Sequence, residues 1–316
     1  MGTMIQHGLV IQRGLAAVLF VSLAAASFAQ ESARSIASMI PASSTGAAFV
    51  SVENIMSSFG SHFTTGSLAR ELDRLISQGM PDPRKQVQEV GIAFDFEKDD
   101  DRAFGLVARG QVDVCKAVEF LKAQGAELSQ EAYRGVILNH AKLPKKKETL
   151  EIASLDEAHS LLSYDMADQH KLAKAIVDTV SGSAQSFGER NHTVLPKNYF
   201  ACLSVDIPAH VRQSALANQM TAPLAAIKHV TGTLREEQDK SVKLQLDAAC
   251  DDEAGAQGVK THLENIVQML LARAGNDPQH GAILRSIVIA REGCCVSLTM
   301  QLPRDLIEQI LVGMNH

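Results

Sequence analysis

The chain carries eleven histidines and five cysteines, enough to raise metal or nucleophilic chemistry at once. The densest set is Asp156, Glu157, His159, Asp165, Asp168 and His170. A metal site needs such ligands to converge, commonly one helical turn apart or across facing strands. Here the spacing predicts a hairpin turn over 156–159 and a helix start at 168–170, where acids suit the helix dipole. His140 follows Val136 and Leu138 on one strand face and reads as a strand-end residue. The acid run at 99–101 lacks the glycine and the distal glutamate of a calcium loop, and Lys145, Lys146 and Lys147 read as an exposed basic turn. Gly255-Ala256-Gln257-Gly258 has the form of a nucleic-acid clamp, but Asp251, Asp252 and Glu253 just before it would repel phosphate. Nucleophile-elbow, phosphate-loop and dinucleotide patterns are absent from the sequence. Neither a metal nor a cofactor is therefore expected.

The cysteines, Cys115, Cys202, Cys250, Cys294 and Cys295, follow neither a zinc ribbon nor a dense disulfide scaffold. If Cys294 and Cys295 open a strand, their side chains point to opposite faces. Cys294 then keeps register with Val296, Leu298 and Met300 and reads as core. Cys295 keeps register with Ser297 and Thr299 and is the expected reactive thiol.

The elements that must position these residues begin after a leader. Arg13, the apolar stretch 15–26 and the small residues Ser27 and Ala29 have the three parts of a secretory signal peptide over 1–29. Its apolar core is short of the roughly 20 residues of a membrane helix, so a periplasmic or extracellular chain with no later transmembrane segment is expected. The formal charge of −6 argues against a nucleic-acid partner.

Internal repetition organises the rest. Residues 48–53 and 201–206 alternate apolar and polar as half-buried strands do, and each is followed by helical periodicity. Hairpins come next, over 90–108 and 230–248, and each feeds a further helix. The shared order predicts an α+β fold of two tandem ferredoxin-like, split βαβ units, with antiparallel sheets and helices on one face. The first repeat spans 30–182 and the second 199–316, joined by a polar linker over 183–198.

Asp82-Pro83-Arg84-Lys85-Gln86-Val87, residues 105–110 and Tyr133-Arg134-Gly135-Val136 resemble those of uncharacterised secreted bacterial proteins built as tandem ferredoxin-like α/β repeats. The resemblance implies export and that fold, and brings no known activity or catalytic motif. The expectation is a non-enzymatic envelope module, using its open sheet faces to bind a partner such as another envelope protein. The alternative is an exported hydrolase or redox enzyme with a site assembled between the repeats. By strand parity the candidate contact residues are Ser51, Glu53, Arg109, Ser204, Asp206, Lys243, Gln245, Asp247, Ser297 and Thr299.

Overall fold

The computed structural model describes residues 35–63, 67–95, 103–144, 149–165, 171–191, 195–218, 221–274 and 278–313. The leader, the acid run at 99–101, the lysines at 145–147, and Asp168 and His170 lie outside them. Among the described residues no helix is long and apolar enough to cross a membrane.

The first half runs β1 (Gly46–Ser51), α1 (Val52–Phe63), α2 (Ser67–Ser77), α3 (Pro83–Gln86), β2 (Val87–Asp95), β3 (Ala103–Gly110) and α4 (Val114–Ala123). It continues through β4 (Glu127–Tyr133), β5 (Val136–Lys142), β6 (Thr149–Ser154), β7 (His159–Asp165), α5 (Lys171–Val180) and α6 (Phe187–Arg190). The second half runs β8 (Tyr199–Asp206), α7 (Ala209–Leu216), β9 (Ile227–Glu236), β10 (Val242–Cys250) and α8 (Glu253–Ala274). It closes with α9 (Pro278–Arg285), β11 (Val288–Glu292), β12 (Cys295–Leu302) and α10 (Arg304–Gly313). Local chemistry starts the helices. The Asp82 side chain caps α3 by accepting from the Arg84 amide at 3.1 Å, and Asp113 caps α4 through the Lys116 amide at 3.0 Å.

The twelve strands of the described residues join one antiparallel sheet in the order β11-β12-β10-β9-β8-β1-β2-β3-β7-β6-β5-β4. The two halves meet through β1 and β8, from Gly46 opposite Val205 to Val50 opposite Ala201. A Cβ on Gly46 would lie 2.8 Å from Val205 Cγ2, so glycine permits this close approach at the centre of the sheet.

This topology corrects the split βαβ expectation. After the intervening helices the chain returns directly beside its opening strand: β2 lies against β1, and β9 against β8, with no strand inserted between. The cause lies in the opening strands, which are apolar on both faces. Ala47 and Phe49 point one way and Ala48 and Val50 the other, and such strands bury best in mid-sheet.

Helices also cover more than one face. In the first half Ala47, Phe49, Ala93, Val107, Leu138, Ala153 and Leu161 form a core with residues 36–40, with Leu172, Ala173, Ile176 and Val177 of α5, and with Phe187 of α6. On the opposite face Val50, Val90, Ile92 and Leu106 pack with Val52, Ile55 and Met56 of α1. Gly105 lets α5 sit close, since a Cβ there would lie 2.6 Å from Ile176 Cδ1. The second half extends the α1 face: Phe59 meets Phe200 edge-on at 5.6 Å, and Cys250 and Val296 pack with Ala256 and Val259 of α8.

The stretch 183–198, expected as an exposed linker, is in part built into the core. Ser186 and Glu189 form a reciprocal capping box, and the Phe187 amide donates to the Ile40 carbonyl at 2.7 Å. Phe187 itself has no exposed surface.

Candidate functional site

On the face opposite α8, the second half of the sheet presents cross-strand rows of polar side chains. One row runs Ser204, Thr231, Asp247 and Ser297; the next runs Cys202, Thr233, Gln245 and Thr299; a third runs Arg235, Lys243 and Gln301. Regular antiparallel register brings these distant residues together, because residues two apart on each strand share a face. Apart from Ser204 and Cys202, their side chains stay at least partly exposed. Gln245 donates to Asp247 at 2.9 Å, and Gln301 donates to the Ser241 hydroxyl at 2.8 Å. Beside the third row lies a shallow hollow of about 570 Å³, lined by Arg235, Glu237, Asp239, Lys243, Thr299 and Gln301 among others.

Seven expected contact residues, Ser204, Asp206, Lys243, Gln245, Asp247, Ser297 and Thr299, therefore do share one face, and Cys295 opens β12 on that same face, exposed. Three others do not belong to the open area. Glu53 is the second residue of α1, where an acid suits the first turn; the strand already ends at Ser51. Ser51 is buried and accepts from the Asn54 amide. Arg109 lies in the first half, partly exposed but engaged, pairing with Glu89 at 3.0 Å and donating to Gln88. Cys294 is corrected as well: it sits in the exposed turn between β11 and β12, not in the core, because β12 begins one residue later.

At the inner margin of the open face a hydrogen-bonded chain forms that sequence reading missed. His229 Nδ1 lies 2.7 Å from Asp206 Oδ1, His229 Nε2 lies 3.2 Å from the Ser204 hydroxyl, and Arg190 reaches Asp206 Oδ2 at 3.0 Å. The carboxylate can only accept, so Nδ1 carries a proton; in the neutral ring Ser204 then donates to Nε2. The connectivity is that of a serine-histidine-aspartate triad. Exposure runs the opposite way from a nucleophile site. Ser204 is 5% exposed, while the side chains of His229 and Asp206 are 27% and 49% exposed. A substrate would thus reach the carboxylate first and the hydroxyl last. The one signal in sequence was the i, i+2 pair Ser204 and Asp206; nothing local pointed to His229 or Arg190.

In the first half His140 and His159 are held by carboxylates. His159 Nδ1 bonds Asp156 Oδ1 at 2.8 Å across the expected turn, and Asp156 also accepts from the Ala158 and His159 amides. His140 is buried between Glu151 at 3.3 Å and Glu131 at 3.8 Å, with Lys174 of α5 on Glu131 at 2.8 Å. Burial, with the Glu89 charge adding to it, pushes the Cys202 thiol up to about 11, and the same two causes raise Tyr199, whose hydroxyl donates to Glu89. Among the described residues no cluster of three or more acidic, histidine or cysteine side chains could hold a metal.

No family model matches the chain, and no curated protein matches it by sequence. Solved structures do. Crystal form III of TP0453 superposes with a TM-score of 0.53 at 8% identity, covering 90% of this chain and 100% of that one. Crystal form I of TP0453 gives a TM-score of 0.50 at 8% identity with the same coverage. At this identity the likeness concerns the fold alone.

Proposed function

We propose that the chain is an exported, non-enzymatic binding module that meets a protein partner of the envelope across the polar face of β9, β10 and β12. One observation carries this reading: the same sheet is covered on both faces in its first half but leaves the ordered rows Thr231 to Ser297, Thr233 to Thr299 and Arg235 to Gln301 partly exposed in its second. Antiparallel sheets tolerate one solvated face. A broad face mixing Lys243, Asp247, Arg235 and neutral hydroxyls suits a protein surface of mixed charge better than a polyanion. Export is supported by the leader-like residues 1–29.

The test is site-directed photo-crosslinking in cells from Thr299 on this face, with Ile137 on the far half as control. A discrete adduct from Thr299, lost with Lys243→Glu plus Asp247→Lys while the thermal midpoint stays put, is expected. Equal adducts from both positions, or none from Thr299, would refute the reading.

A second reading, an exported hydrolase, draws on the Ser204, His229 and Asp206 chain. Labelling of Ser204 by a fluorophosphonate, abolished by His229→Ala, would support it. The buried hydroxyl predicts no labelling.

A further inference from the structure

Three of the five cysteines, far apart in sequence, meet at one corner of the sheet. Cys250 ends β10, Cys294 occupies the β11 to β12 turn, and Cys295 opens β12. Ala249 stands opposite Cys295, and the Cys250 amide donates to the Cys294 carbonyl at 2.9 Å. Carried one step further, this register places Cys250 across from Cys294. Facing residues of antiparallel strands have Cα atoms about 4.5–5.5 Å apart, within the roughly 4.4–6.8 Å that a disulfide bridges.

Exposure divides the three. Cys250 is 5% exposed and packs with Val296 and Val259, whereas Cys294 and Cys295 face solvent. Burial, with Cys295 close by, raises the Cys250 thiol above its ordinary value. Gly293, at φ +55°, makes the tight turn that presents the vicinal pair. Two accessible thiols therefore stand beside one protected thiol, which is the division of labour of an attacking and a resolving cysteine.

We propose that Cys250, Cys294 and Cys295 form a thiol–disulfide exchange site whose oxidant is a low-molecular-weight disulfide. The Cys294 thiolate, the exposed thiol that the register sets across from Cys250, attacks one sulfur of the oxidant. The S–S bond breaks, one thiolate leaves, and a mixed disulfide forms on the protein. Cys250 then loses its proton to solvent and its sulfur attacks the protein-side sulfur, expelling the second small thiolate. Two protein thiols become one disulfide, two electrons pass to the oxidant, and two small thiols are released. Cys295, on the opposite face of the sheet, keeps its thiol, and the new bond returns to the two-thiol state only when two small thiols attack it in turn, leaving as the small disulfide. Pairing between Cys294 and Cys295 is disfavoured, since a bond between neighbours in sequence would distort the turn and the strand start that hold them.

The experiment treats the full chain with oxidised glutathione, alkylates remaining thiols with a maleimide, and maps the peptides. The expected product joins the Cys250 peptide to the peptide carrying Cys294 and Cys295, with one thiol of that pair alkylated and Cys115 alkylated as a control. Cys250→Ser should instead accumulate a glutathione adduct on the exposed pair. Should that buried substitution fail to fold, the exposed double variant Cys294→Ser, Cys295→Ser must still lose the disulfide. Alkylation of all three thiols after oxidation, or a bond between Cys294 and Cys295 with Cys250 alkylated, overturns the proposal.

Discussion

Replacing Phe187 by alanine asks whether the residues between the halves belong to the core. The ring has no exposed surface, packs with Ile40, Phe49 and Ile176 in the same cluster, and carries the Arg190 guanidinium 4.9 Å above its centroid. Removing a fully buried phenylalanine costs about 3–5 kcal/mol, the transfer of the ring plus the cavity left behind. Loss of the cation–π contact at this partly exposed arginine adds about 0.5–1 kcal/mol. Because Ala47 and Phe49 of β1, where the halves join, belong to the same cluster, the loss should reach both. Urea titration should show destabilisation of roughly 4 kcal/mol, and hydrogen exchange should show protection falling in β2 and β3 and also in β9 and β10. A loss under about 1 kcal/mol, the scale of a surface change, would mean that 183–198 is the exposed linker its composition suggests. Deprotection confined to one half would mean that the sheet does not fold as a unit.

Alkali should act through Cys202 and Tyr199. Both acids have folded-state values raised above the unfolded ones, so the neutral forms contribute stability below the unfolded value that is lost as pH rises; for Cys202 the window runs from 9.0 to about 11. A pH series of urea midpoints should decline there, less steeply in Cys202→Ala; identical slopes would refute the assignment. Gly105→Ala should overpack Ile176, 2.6 Å from the new Cβ, costing about 1–3 kcal/mol, and a neutral outcome by thermal unfolding would show that α5 yields freely. Oxidation linking Cys250 to the exposed pair closes a loop of about 45 residues and should stabilise the chain by roughly 4 kcal/mol in the chain-entropy account. Reducing agent should reverse that gain, and an unchanged midpoint would point to strain in the bond.

Much of the fold was legible because it is written locally. The hairpins of β2 with β3 and β9 with β10 follow from period-two alternation, and the caps at Asp82 and Asp113 from residue type. β4 was not anticipated: Glu-Leu-Ser-Gln-Glu-Ala-Tyr is polar because it lies at an edge of the sheet, largely exposed, so it lacks the apolar rhythm by which strands are recognised. The co-facial set from Ser204 to Thr299 was also legible, since parity along a strand fixes which residues share a face once the strands pair.

Parity cannot say what lies over a face. Ser51 belongs to the same face as Gln245 by alternation, yet it is buried, and Arg109 of that face is held by Glu89 and Gln88, while residues 36–40, α5 and Phe187 pack over Phe49 and Val107 beside them. Nor does local sequence place His229 beside Asp206, or Cys250 beside Cys294, since these are contacts between strands whose order is chosen by burial. Element types, strand parity and capping were determined by the sequence read along the chain. The joining of β1 to β8, the covering of only one half, and the gathering of three thiols were decided by tertiary structure, because strands apolar on both sides minimise exposed surface only in the middle of one continuous sheet.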